Sequence, residues 1–219
     1  MTDELRDTPE PSGGPPAGAS RPAVDVSGTD PDIDDLTERV VSTEVLHTGR
    51  YLDLRIDTIE RPDGSTAKRE IVGHPGAVAI VALDPSDQIL LVRQFRLAAG
   101  RVMLEIPAGT LNRDKATGDT EEPDAAAARE LEEETGYRAG RWQKLAIFWT
   151  APGFATENMH LYLATDLTLA DDRLGPDEDE WLLLDRLPFD DALAAAEDGV
   201  IADAKSLVGL LWLARMRGR

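Results

Sequence analysis

Three glutamates, Glu130, Glu133 and Glu134, stand at positions i, i+3 and i+4 of the segment RELEEETGY (129–137). At about 100° per residue a helix gathers them on one side, beside an apolar side formed by Ala127, Ala128, Leu131 and Thr135. Like charges at this spacing destabilise a bare helix by roughly 0.2–0.5 kcal/mol per pair, so the cluster needs neutralising. A solvated acidic face with Arg129 paired to Glu133 is one solution. A hard divalent cation is the other: Mg²⁺ takes carboxylate oxygens and keeps water and phosphate oxygens as its remaining ligands. The apolar residues next to the acidic edge hold these carboxylates close to a core, which favours the cation.

The element that must carry them reads clearly. Pro123 suits a first helical turn, alanine and leucine suit the interior of DAAAARELEEET, and Gly136 is a natural stop, so a helix is expected over Asp124 to Thr135. Before it, from Val40, come short strand-like runs: VVSTEVLHT, LDLRIDTIE, AKREIV, AVAIVALD, QILLVRQFRL and MLEIPA. Turn signals such as Arg61-Pro62-Asp63-Gly64 and Asp84-Pro85-Ser86-Asp87 separate them. After it come WQKLAIFWT, NMHLYLATDL and EWLLLDRL, then two amphipathic helices, about 189–197 and 204–216. In the last, Leu207, Leu210, Leu211 and Ala214 recur at helical spacing. Mixed strands with few helices and no βαβ alternation predict an α+β fold, an α/β/α sandwich on a mixed sheet.

Residues 1–38 are rich in Pro, Gly, Ser and Asp and show neither periodicity. They are expected to be a disordered tail, leaving residues 39–219 as one domain. The chain has 219 residues, 42% of them apolar, enough for a full core. Its longest apolar run, Ala77 to Leu83, is far shorter than the roughly 20 residues of a membrane span. The absence of cysteine excludes disulfides, thiolate metal sites and thiol catalysis. A formal charge of −19 argues against a nucleic-acid partner, and an anionic substrate would need bound cations and placed arginines to reverse the local field. The N-terminal segment MTDELRDTPEP has no apolar stretch, so no secretory signal is expected and a cytoplasmic location is the default.

The carboxylate segment resembles the signature of the Nudix hydrolases, G-x5-E-x7-R-E-U-x-E-E-x-G-U, where U is apolar. Glu121 is followed by seven residues and then Arg129, Glu130, Leu131, Glu132, Glu133, Glu134, Thr135, Gly136 and Tyr137. The one departure is the leading glycine. Lys115 stands where it is expected, and Gly109 of IPAG lies twelve residues before Glu121, which implies a six-residue insertion within LNRDKATGDT. The resemblance covers roughly Val40 to Arg217. LEIPAGT, APGFATENMHLYLA and DEDEWLLLDRLPFDDAL are similar to the ADP-ribose pyrophosphatase branch, in which a proline falls about fifteen residues past the signature. Pro152 does so, with Ala151 in place of the usual serine.

That resemblance implies a Nudix fold with an additional N-terminal antiparallel sheet, from strands within residues 39–75 that serve dimerisation. It implies Glu130 and Glu134 as principal Mg²⁺ ligands, with Mn²⁺ a possible substitute. Glu133 would be a further ligand directly or through water, and the carbonyl of Ala108 another. Glu121 would orient the helix or assist at an outer metal. Of Glu178 and Glu180 in the DEDE loop, one would be a late ligand and the other a base for the attacking water, in either assignment. Arg96 and Arg69 are candidates for the phosphates or terminal ribose, Glu157 for a substrate loop, and Tyr51 for stacking on adenine. The implied activity is Mg²⁺-dependent hydrolysis of ADP-ribose to AMP and ribose 5-phosphate by a homodimer. The sequence leaves open another nucleoside diphosphate sugar, NADH or a diadenosine polyphosphate as substrate, and also a Nudix domain that binds a nucleotide without hydrolysing it.

Overall fold

The computed structural model describes residues 36–114, 117–172 and 181–219. Most of the expected tail, and the DEDE loop with Glu178 and Glu180, lie outside the described residues.

Among the described residues the strand-like runs form ten strands: β1 (Arg39–Thr48), β2 (Asp53–Glu60), β3 (Thr66–Gly73), β4 (Ala77–Leu83), β5 (Gln88–Arg96), β6 (Arg101–Glu105), β7 (Ala108–Thr110), β8 (Tyr137–Trp149), β9 (Asn158–Leu169) and β10 (Leu182–Pro188). Among the described residues three α-helices join them: α1 (Pro123–Thr135), α2 (Phe189–Glu197) and α3 (Ala204–Met216). Two expected strands differ. WQKLAIFWT is extended back to Tyr137, directly after Gly136. MLEIPA is split at Ile106-Pro107 into β6, which pairs with β5, and β7, which pairs with β4. Proline has no N–H to donate to a ladder, so the break falls where continued pairing is least favourable.

The central sheet runs β10-β5-β4-β9-β8, with β4 and β9 parallel and its other pairs antiparallel. The β4–β5 hairpin pairs directly only at Ala82–Leu90 and Leu83–Ile89 before the strands part to admit β6 and β7. The parting brings the backbone of Ala108 and Gly109 against α1.

β4 is buried on both faces, as a central strand flanked by helices should be. Val78, Ile80 and Ala82 pack with Ala126, Ala127 and Leu131 of α1, along with Leu90, Tyr162 and Ala164. Ala79 and Val81 face the opposite layer, with Phe189 and Ala192 of α2 and Leu210 and Leu213 of α3. The result is the expected α/β/α sandwich. The buried side of α1 is centred on Ala126, Ala127 and Leu131, while Ala128 is exposed. The expected apolar face is therefore rotated by about one position, which turns Glu130 and Glu134 further inward.

β1, β2 and β3 form a separate antiparallel sheet, and every residue of β1 is exposed. The far end of β3 is tied to the main body. Val72 donates its N–H to Phe154 and accepts from the N–H of Thr156, at 2.8 and 3.0 Å.

Candidate active site

Helix α1 begins with Pro123 in its first turn and ends at Gly136, whose φ of 73° is left-handed and whose N–H returns to the Glu132 carbonyl at 2.8 Å. Both ends are thus set by local sequence, and the phase of the carboxylates follows. Glu130 and Glu134 are buried, with 6% and 4% exposure, and turn toward the 106–109 segment. Glu134 accepts a hydrogen bond from the Ala108 N–H at 3.0 Å. Glu130 lies against Gly109 so closely that a Cβ there would come within 1.9 Å of its carboxyl carbon.

Arg129 neutralises much of this edge. Its Nε and Nη2 bind the two oxygens of Glu121 at 3.1 and 2.9 Å, and its Nη1 lies 2.8 Å from Glu130 and 2.7 Å from Glu133. Burial works against the charge on Arg129, but Glu121, Glu130 and Glu133 outweigh it and hold its pKa above the ordinary value. Burial would raise the Glu121 carboxyl, whereas Arg129 and the Asn112 N–H outweigh it and hold it below the usual range.

The loop between β7 and α1 closes on itself. The Glu121 N–H bonds the Asn112 carbonyl at 2.8 Å, the Asn112 N–H bonds a Glu121 oxygen at 3.2 Å, and Arg113 bridges to Thr120. These contacts bring the two ends of the segment together and hold the entry to α1 in place.

The remaining candidates divide in two groups. Arg96 lies at the end of β5, and its Nε and Nη2 grip Glu105 at 3.0 and 2.8 Å. The Glu105 bonds, together with the nearby charge of Glu134, raise its pKa. Glu157 accepts from the Thr150 hydroxyl at 2.5 Å and has Nε2 of His74 at 3.7 Å. Arg69 lies on β3 and Tyr51 in the turn between β1 and β2, with partners other than the carboxylates of α1. Arg69 pairs with Glu38, and Tyr51, 47% exposed, carries the Arg50 guanidinium 4.7 Å from its ring centre. Two residues that the sequence did not single out, Glu105 and Lys205, sit beside Arg96. Nothing local marks them, because they meet across 100 residues of chain.

Among the described residues no three acidic or histidine side chains converge on a single point as metal ligands would. The donor set nonetheless suits a hard divalent cation. It is built of oxygens alone, its carboxylates line one edge of α1, and they face a glycine whose missing side chain leaves the space that Glu130 fills.

A NUDIX domain model matches residues 73–205, and a model of the nucleoside diphosphate sugar hydrolase N-terminal domain matches residues 38–72. The chain belongs to the Nudix family. It is 40% identical to the ADP-ribose pyrophosphatase of Bacillus subtilis (strain 168) over 81% of this chain and 93% of that protein. It is 41% identical to the methanol dehydrogenase activator of Bacillus methanolicus over 80% of this chain and 92% of that protein. A solved structure of an ADP compounds hydrolase superposes with a TM-score of 0.71 at 24% identity, covering 84% of this chain and 96% of that one, and so shares the fold.

Proposed function

We propose that this protein hydrolyses the diphosphate bond of ADP-ribose, giving AMP and ribose 5-phosphate, with Mg²⁺ as cofactor and Mn²⁺ as a substitute. The observation that carries the reading is the edge of α1, where Glu130, Glu133 and Glu134 crowd against Arg129, Ala108 and Gly109. The name of the Bacillus subtilis relative supports the choice of substrate.

Glu130, Glu133 and Glu134, with the Ala108 carbonyl, would hold the cation. When bound, it would offset charge on the diphosphate and lower the pKa of an attacking water. Glu121 and Arg129 keep α1 and its carboxylates in register, and Arg96 meets a phosphate oxygen. Glu157, in a loop stitched to β3, binds a substrate hydroxyl. Of Glu178 and Glu180, one completes the deprotonation of the water and the other serves as a late ligand. Arg69 on β3 and Tyr51 in the turn after β1 would reach a partner's site in a homodimer joined through β1–β3. A cytoplasmic location completes the reading.

The second Bacillus relative bears an activator's name, so a regulatory Nudix domain is the competing reading. The complete carboxylate set favours hydrolysis. Turnover of a panel comprising ADP-ribose, nucleoside diphosphate sugars, NADH and diadenosine polyphosphates, followed by chromatography of the products, separates them. ADP-ribose should be the preferred substrate. Strong turnover of another compound with ADP-ribose untouched overturns the assignment, and no turnover of any favours the regulatory reading.

A further inference from the structure

Behind Arg96 lies a chain of charges that the proposed chemistry does not yet use. Glu105, at the end of β6, is 1% exposed, and both its oxygens are taken by Arg96. Lys205, in the first turn of α3, is 11% exposed at its side chain. Its ammonium bonds Glu105 and also Oδ1 of Asp203, the latter at 2.8 Å. Asp203 caps α3, accepting from the Ser206 N–H at 3.1 Å, and the Ser206 hydroxyl accepts from the Ile106 N–H at 2.9 Å. The first turn of α3 is thereby fastened to the segment that leads into Ala108 and Gly109.

The arrangement matters for what Arg96 can offer an anion. Arg96 uses Nε and Nη2 on Glu105, its Nη1 makes no hydrogen bond among the described residues, and its side chain is 42% exposed. An isolated arginine–glutamate pair is neutral and presents little field to a diphosphate. With Lys205 sharing the Glu105 carboxylate, less of the Arg96 charge is spent on it. Asp203 would cancel that gain, but its own charge is shared with the positive end of α3. One Asp203 oxygen, Oδ2, is buried without a hydrogen-bond partner among the described residues, a costly arrangement that simple packing would not require.

We propose that Lys205 is a positioning residue for substrate binding: acting through Glu105, it fixes the Arg96 guanidinium with Nη1 presented to a phosphate oxygen of a nucleoside diphosphate. The inference rests on the proposed function, because it takes a diphosphate as the anion that Arg96 meets.

The test is a double-mutant cycle on the full chain, with kcat and KM for ADP-ribose in Mg²⁺ and thermal midpoints for every variant. Lys205→Met, which keeps the length and removes the charge, should raise KM about tenfold with kcat changed less than twofold. Lys205→Arg should restore KM. In an Arg96→Ala background, Lys205→Met should change KM by less than twofold, because the residue through which it acts is gone. If Lys205→Met does not fold, Lys205→Gln, which still donates to Glu105 without a charge, replaces it with the same expectations. A wild-type KM in the single variant, or a KM rise that persists in full without Arg96, overturns the inference and leaves the hydrolase reading intact. A wild-type protein that leaves ADP-ribose untouched overturns both.

Discussion

Gly109 and Glu130 occupy one space: a Cβ on the glycine would sit 1.9 Å from the carboxyl carbon and Oε1 of the glutamate. Twenty-one positions apart in sequence, they meet because β7 runs beneath α1. The smallest residue in the chain makes room for a buried carboxylate.

Gly109→Ala should therefore displace Glu130 while leaving both elements formed. Turnover is expected to fall by about 10–100-fold, with a higher Mg²⁺ concentration needed for half-maximal rate, as happens when the surroundings of a metal ligand are disturbed. A Mg²⁺ titration of the variant checks this. An unchanged half-saturation point would mean that Glu130 is not a ligand.

Replacing Glu134 by Gln keeps an oxygen to accept from the Ala108 N–H and removes the charge. The rate should drop by more than about a hundredfold while the thermal midpoint stays within a few degrees of wild type. Retained activity would show that the metal-holding edge has been assigned to the wrong carboxylates.

Arg129 serves three carboxylates with one guanidinium and is only 24% exposed. Arg129→Ala leaves them facing one another and should cost about 2–4 kcal/mol, somewhat less than a fully buried pair. Lysine will not substitute well, because it lacks the planar fork that meets Glu121 on two atoms. Added Mg²⁺ should recover part of the loss if the cation binds the same oxygens. Urea unfolding with and without Mg²⁺ measures both quantities, and a Mg²⁺ effect absent from both wild type and variant would contradict the site.

Acid should weaken the fold as pH falls below 6.5, before most carboxylates are protonated. Burial lowers the pKa of His74, with Glu157 partly opposing, and burial together with Lys144 lowers that of His160. A histidine depressed in the folded state binds its proton more readily when unfolded. Its contribution is complete above the ordinary value of 6.5 and is lost as pH falls toward the folded value. Glu105 and Glu121, held below the usual 4.5, act in the same sense at lower pH and so do not obscure this window. His74→Gln should flatten the slope of urea midpoint against pH from 7 to 5. A slope as steep as wild type would assign the effect elsewhere.

Much of the architecture was legible because it is local. Alternation and turn residues set the strands, and Pro123 and Gly136 set the ends of α1. The spacing of Glu130, Glu133 and Glu134 placed them together and left Glu132 to pair with Arg138 on another side. The split of MLEIPA into β6 and β7 was not legible, because it depends on β4 and β5 parting company, a choice made by long-range pairing.

The sequence by itself determined the carboxylate helix, the grouping of its three glutamates and the family to which it belongs, since a 3.6-residue period and a fixed motif need no distant partner. Only the tertiary structure decided that Gly109 lies under Glu130, that Arg96 is gripped by Glu105, and that Lys205 stands behind both. Those contacts join strands and helices up to 100 residues apart, and only the packing of the sheet between its helix layers brings them within reach.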